Sequence, residues 1–341
     1  MNSIPDSRNG PSALNTKGLI LGYHSVAEVA SDPWSLSVTP QHFLDQLEVL
    51  NKQAHPVHLR ELFQHSGERE IAPGSVVITF DDGYANNFHL ARPLLECYGI
   101  PATVFVITGY LDGEHEFWWD ELETLLLHPG TLPERLRLGI EGSSHEWELG
   151  EEANYNEQLC HRHRSWKAWE EPPTCRHSLY VSLWEILQRL REDERQSVLG
   201  ELRVWANEFS IRRETHRPLS FEELSTLATG ELIEIGCHTV THSRLSTLSV
   251  VAQREEIQRS KRCLADVTGR TITSFAYPYG SKRDYTIETV RLVKEAGFDC
   301  ACSTTPTVVT KDSNRFELPR LQVQDWDGDE FSRQLSLWFA A

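Results

Sequence analysis

The chain has 341 residues, enough for one large α/β domain or two smaller ones. With 33 basic against 50 acidic residues its net charge is -17, which argues against nucleic acid or an anionic membrane surface as the main partner and favours a neutral or cationic ligand. Seven scattered cysteines without paired CxxC motifs give no sign of a structural zinc site and fit a reducing compartment.

The polar N-terminus lacks the apolar core of a signal peptide, and no run of eighteen or more apolar residues occurs. A cytoplasmic protein without a transmembrane segment is therefore the expectation. Residues 1–16 read as a flexible tail, and residues 17–341 as the folded unit. Residues 17–26 (KGLILGYHSV) form a first buried strand with His24 near its carboxyl end, where a lone histidine is first read as a core residue. Thr39 and Pro40 then open a helix whose apolar face is Phe43, Leu44, Leu47 and Leu50. A short strand at 56–59 and a short helix at 60–64 follow.

Residues 76–80 (VVITF) read as another buried strand, so Asp81 and Asp82 stand where it meets its loop. Adjacent carboxylates repel, and close placement in a cleft needs a cation between them or a shared proton. A helix cap would account for them equally well. A helix over 87–98 closing at Gly99 and a strand over 102–107 complete a parallel βαβ rhythm.

That rhythm breaks over 109–217, which holds seven of the ten tryptophans. Helices are expected at 118–127, 179–190 and 194–208, and a hairpin at 139–149. The segment reads as a largely helical, Trp-rich insertion packed over the loop face. Its aromatics are expected mainly as core, with a few exposed rings as a sugar platform. Cys160, His161 and His163 imitate a metal cluster, but their flanks are basic and a fourth ligand is missing.

The α/β pattern resumes with a capping box at Ser220 and Glu223, a helix to 228 and a strand over 233–237. A long helix spans 250–268. Residues 274–280 carry a strand into a tight turn, and a helix covers 286–296. Strands at 299–303 and 317–323 and a helix over 328–339 finish the chain.

His238 and His242 follow directly after the 233–237 strand, at the same topological position as Asp81 and Asp82. Four apart, they would share one face of a helical turn and reach one ion. Two histidines and a carboxylate leave coordination positions open, as a catalytic metal requires.

Together TFDDG at 79–83, HTVTH at 238–242 and PYG at 278–280 resemble the motifs of the polysaccharide deacetylase family, also called carbohydrate esterase family 4. The resemblance covers about 19–107 and 220–323. It implies an α/β fold, a distorted and incomplete (β/α) TIM-like barrel with the site at the carboxyl ends of its strands. It implies Asp82, His238 and His242 as ligands of a divalent metal, zinc first, with cobalt, nickel or manganese as alternatives. Asp81 would be the base that activates water. The backbone amide of Tyr279 would help hold an oxyanion. The expected reaction releases acetate from an N-acetylated sugar.

Two departures from that pattern stand out. The arginine that usually precedes the turn's proline and orients the base is missing from 275–277, and Arg320 is the candidate to replace it, against a plain surface ion pair. The late Leu-x-His motif, whose histidine protonates the leaving amine, is missing too, since no histidine follows His242. That reverses the reading of His24, which becomes the candidate acid, as in a branch of the family acting on exopolysaccharides. The segment 117–120 (FWWD) resembles one in insertion-bearing members from surface-polysaccharide gene clusters. The alternatives are a catalytically silent carbohydrate-binding relative and a hydrolase of a non-sugar amide. Oligomeric state is not legible.

Overall fold

In the computed structural model, residues 17–62, 71–113, 115–207 and 213–341 are described, and the tail expected over 1–16 lies outside them. Seven parallel strands form one curled sheet: β1 (Leu19–Tyr23), β2 (Ser75–Phe80), β3 (Ala102–Val106), β4 (Ile233–Cys237), β5 (Ser274–Ala276), β6 (Cys300–Cys302) and β7 (Leu321–Gln322). Their order is β6-β5-β4-β3-β2-β1-β7, with the two-residue strand His55–Pro56 added to β2 as an eighth. This is an α/β fold with an incomplete TIM-like barrel.

Continuous apolar runs such as LILGY and SVVITF suit a parallel sheet covered on both faces. Alternation along each strand divides the core. Ile20, Val77, Phe105, Ala276 and Cys302 point to one cluster, while Leu19, Leu21, Val76 and Ile78 pack in another that includes the helices. The helices begin where local chemistry tells them to. Thr39 accepts from the His42 amide at the head of Pro40–Gln53, and Ser220 with Glu223 forms the expected capping box. The long helix Val250–Thr268 ends on Gly269 at φ 66°, a left-handed position. Among the described residues no helix is long and apolar enough to cross a membrane.

The two ends of the sheet are joined by one segment. The Ala301 amide donates to the Arg315 carbonyl at 2.8 Å, Ser303 N to Leu318 O at 2.7 Å, and Leu318 N to Ala301 O at 2.8 Å. Three residues after Leu318, Leu321 pairs with Leu21 of β1. Residues 315–322 thus bond first to one edge strand and then to the other, and Arg320 lies in that seam.

Within 109–217, helix Trp118–Leu127 has the expected bounds. A helix not expected from the sequence, Glu157–His163, comes next, followed by Cys175–Leu187 and Glu192–Ala206, the former starting earlier than the periodicity suggests because Thr174 caps it. The hairpin pairs Arg135–Ile140 with Ser143–Glu148, also starting earlier. The short strand and helix expected at 56–64 become the two-residue strand His55–Pro56 and a single 3-10 turn, Leu59–Glu61, with residues 63–70 undescribed. The insertion has its own core, with Trp118, Leu122, Leu183 and Leu199 fully buried, whereas Trp169 is 61% exposed. It is tied to the barrel by Arg195, which donates to the Thr241 carbonyl at 3.0 Å. Lys167 Nζ reaches the Asp32 carbonyl at 2.6 Å, and Ala168 N the Pro33 carbonyl at 2.9 Å.

Candidate metal centre and active site

Asp81 and Asp82 follow the last residue of β2. In a regular strand neighbouring side chains point to opposite faces, yet both carboxylates line one cleft. The backbone explains this. Asp81 N still donates to Tyr23 O at 2.9 Å, and then Asp82 turns into the left-handed region at φ 69°. The turn is held by Gly83 N to Asp81 O at 2.8 Å and Ile107 N to Asp82 O at 3.1 Å. Gly83 itself sits at φ 82°, and a Cβ there would lie 3.1 Å from Val106 Cγ1.

After β4, His238 and His242 do not share a helical turn as the spacing suggests. Residues 238–244 form a loop with Thr239 at φ 68° and His242 at φ 54°. Three β-branched residues, Thr239, Val240 and Thr241, disfavour a helix here. The loop is braced instead by Glu256 of the long helix, whose Oε2 accepts from Val240 N at 2.9 Å and Thr241 N at 3.0 Å. Thr239 Oγ1 accepts from His242 N at 3.1 Å. On its other side Gly109 N donates to Val240 O at 2.7 Å, an approach so close that a Cβ on Gly109 would fall 2.4 Å from that oxygen.

The two imidazoles converge on Asp82. His238 Nε2 and His242 Nε2 each lie 3.6 Å from Asp82 Oδ1. Nδ1 of His238 meets the Ala276 carbonyl at 2.8 Å, which assigns its proton to Nδ1 and leaves the Nε2 lone pair facing the carboxylate. Asp82 Oδ1 is buried without a hydrogen-bond partner. Burial, then the Asp81 carboxylate, pushes Asp82 well above the usual carboxylate range. Burial also pushes His238 below its ordinary value and His242 well below, so both rings are neutral donors.

These residues fit a divalent cation. Ligands about 2.1 Å from a tetrahedral ion lie roughly 3.4 Å apart, close to the 3.6 Å found here. A cation would also satisfy the orphaned oxygen and favour its ionised form. Among the described residues this is the one group of three or more whose ligand atoms converge, and Cys160, His161 and His163 do not join any such group.

Asp81 is held differently. Arg320 NH1 and NH2 reach its two oxygens at 2.6 and 2.7 Å, and Arg320 NH1 also meets Thr79 Oγ1 at 3.3 Å. Both partners are buried. Burial alone would raise Asp81, but the Arg320 guanidinium, helped by His238, outweighs it and holds the carboxyl well below the usual range. Arg320 is therefore a buried bidentate partner of Asp81, and the surface ion pair weighed from the sequence is not what the fold builds.

His24 lines the same cleft, half-buried, with Gln322 Nε2 3.4 Å from its Nδ1. Burial pushes it down to about 4 against the opposing field of Asp81. Tyr279 stands in the turn after β5 at φ 59°, and its ring centroid is 4.7 Å from that of His242. The turn is closed by Gly280 N to Pro278 O at 2.7 Å and Thr304 Oγ1 to Tyr279 O at 2.9 Å, bonds that leave the Tyr279 amide out. The fold thus brings His24, Asp81, Asp82, His238, His242 and Tyr279 around one cleft, with Arg320 behind Asp81.

Sequence reasoning did not single out Trp34, Leu36, Thr304 or Glu256, nor give Trp119 and Trp184 a place in the cleft they line. Apart from Trp119, which belongs to the FWWD segment, these residues carry no motif. The one cue for Trp34 was an aromatic in a loop that follows a strand end.

A family model described as polysaccharide deacetylase matches residues 68–160 and 196–301. YxkH of Bacillus subtilis (strain 168), which bears a polysaccharide deacetylase name, is 38% identical over 53 residues; that stretch is 16% of this chain and only 19% of that protein. Among solved structures, the Streptococcus pyogenes deacetylase PplD, in complex with acetate, aligns at TM-score 0.54 and 16% identity over 94% of this chain and 97% of its own. IcaB from Ammonifex degensii aligns at TM-score 0.55 and 18% identity, covering 96% and 98%. The deacetylase domain of BpsB from Bordetella bronchiseptica aligns at 0.53 and 16%, covering 91% and 96%. At these identities the likeness is one of fold.

Proposed function

Because the chain belongs to the polysaccharide deacetylase family, we propose that it hydrolyses the N-acetyl group of an amino sugar in a polysaccharide, oligosaccharide or glycan precursor, consuming one water and releasing acetate and the free amine. The observation that carries this reading is the convergence of two neutral imidazoles on Asp82 Oδ1, beside a carboxylate that its own arginine keeps ionised.

In this reading Asp82, His238 and His242 hold a divalent cation, zinc first. When bound, the cation supplies the positive charge that polarises an amide carbonyl and acidifies water. Asp81 accepts the proton of the attacking water, and Arg320 keeps it a fixed, ionised acceptor with both oxygens oriented. The backbone amide of Tyr279, presented by a left-handed turn, donates to the oxygen on which charge develops. The leaving nitrogen must be protonated, since an amine anion is a very poor leaving group. His24 supplies that proton. It rests neutral, so it takes up the proton within the cycle, and the negative field of Asp81 favours that uptake.

The test is acetate release from N-acetylglucosamine oligomers by metal-stripped protein and by protein reloaded with zinc or cobalt. Metal-dependent acetate release is expected. Failure across a broad panel of N-acetylated sugars, with metal demonstrably bound, would favour a silent carbohydrate-binding protein instead.

A further inference from the structure

Rings drawn from separate parts of the chain line the cleft, Trp119 and His242 buried within it. Trp34, in the loop after β1, packs on Trp184 of the insertion helix Cys175–Leu187, with centroids 4.1 Å apart and planes at 31°. Trp184 meets Tyr279 edge-on at 6.1 Å, Tyr279 lies 4.7 Å from His242, and His242 lies 4.8 Å from Trp119. The insertion and the first loop are therefore joined ring to ring.

Hydrogen bonds fix this wall in place. Trp34 Nε1 donates to Tyr180 OH at 2.9 Å, so the first loop is pinned to the same helix that carries Trp184. Trp119 Nε1 donates to Tyr84 OH at 2.9 Å, and Tyr84 donates on to Asp120 at 2.8 Å. The space in front of the wall is about 230 Å³. That is below the range of about 300–1,000 Å³ common for drug-sized ligands, with room for one hexosamine and its acetamido group.

An internal unit of a glycan chain needs a groove open at both ends, whereas here the Trp34–Trp184 contact joins the first loop to the insertion across one side of the cleft. Aromatic faces also match the apolar C–H face of a pyranose ring. Resting on the deacetylase reading above, we infer that the site takes a single N-acetylated sugar unit, either a free amino sugar or the terminal unit of an oligosaccharide or carrier-linked glycan, and not an internal unit of a long polymer.

The experiment uses the zinc-loaded full chain and N-acetylglucosamine probes from the monosaccharide to the hexasaccharide. Binding to the Asp81→Asn variant is followed by tryptophan fluorescence, which needs no turnover, and the positions of acetyl loss by the wild type are read by mass spectrometry. Affinity should change by less than about threefold from disaccharide to hexasaccharide, and acetyl should leave one terminal unit; the monosaccharide arm separates a free sugar from a chain end. An affinity gain of about tenfold or more with length, acetyl loss from internal units, or no binding by any probe would overturn the inference. Flat binding without acetate release would sink the deacetylase reading while the single-unit pocket stands. Trp34→Ala and Trp184→Ala should each open the rim and make binding depend on chain length. Length-independent binding by both variants would also overturn it.

Discussion

Arg320 and Asp81, 239 residues apart in sequence, meet as a buried bidentate pair with bonds of 2.6 and 2.7 Å. Each partner's charge is tolerable in the core because of the other. Arg320→Ala leaves an uncompensated buried carboxylate, a change that costs about 3–5 kcal/mol in comparable pairs. Arg320→Lys keeps the charge and loses the fork, and should lower kcat/KM by about ten- to a hundredfold, as loss of an orienting partner does. Thermal denaturation and acetate release check the two variants. The folded Asp81 pKa lies below its unfolded value, so the pair's stabilisation is fully present above about pH 4 and is lost as pH falls through the folded value.

The two neighbouring aspartates should separate cleanly. Asp81→Asn is expected to retain metal and to lose roughly two to four orders of magnitude in turnover. His238→Ala should lose both. Equal metal loss in the two variants, measured by elemental analysis, would refute this division of labour.

Asp82 offers a readout that needs no substrate. Its carboxyl is raised by burial and by Asp81, so Asp82→Asn should leave the metal-free protein as stable as the wild type or more so. Zinc at about a hundred times its dissociation constant should stabilise the wild type by about 2.7 kcal/mol. The variant should show little of that gain in thermal denaturation with and without zinc.

For His24, replacement by alanine should cut turnover by about 10²–10⁴-fold with metal content unchanged. Near-normal activity would remove it from the mechanism.

Acid should destabilise the metal-free protein earlier than carboxylate chemistry alone would suggest. His24 and His177 are pushed down to about 4 by burial, and His216 to about 3. A histidine whose folded pKa lies below its unfolded value leaves the unfolded state binding more protons between the two, so stability falls with falling pH in that window. This contribution should lower urea midpoints from about pH 6.5 down through pH 4, against the opposite pull of the raised Asp82 and Asp120 carboxyls. Ring-proton resonances of the three histidines titrating near about pH 6.5 in the folded protein would show that these rings are not held neutral.

Much of the barrel could be read from the chain because a parallel sheet covered on both faces writes itself as continuous β-branched runs, and Thr39, Ser220 and Gly269 mark helix ends by their own chemistry. The site was legible where a motif sits at a strand end. Its backbone was not, since Asp82, Thr239, His242 and Tyr279 all adopt positive φ, uncommon outside glycine and least expected for β-branched Thr239 and bulky Tyr279. Such conformations cost about 1–3 kcal/mol each and persist where surrounding bonds impose them. Glu256 imposes one of these loops from a helix whose periodicity says nothing of it. Trp34 and Trp184 come together through tertiary packing alone.

The seam at 315–322 has a mechanical consequence. Its hydrogen bonds link β6 to β1, beside the Gly18–Val309 bridge at the other end of β1, and the guanidinium that holds Asp81 rides on it. Peeling this short segment away would withdraw the counter-charge of Asp81 while the helices stayed packed. The pairing of Asp81 with its counter-charge therefore depends on a seam of a few backbone bonds. In rising denaturant, acetate release should fail before the helical signal does, and amide exchange at Leu318 should mark the same transition.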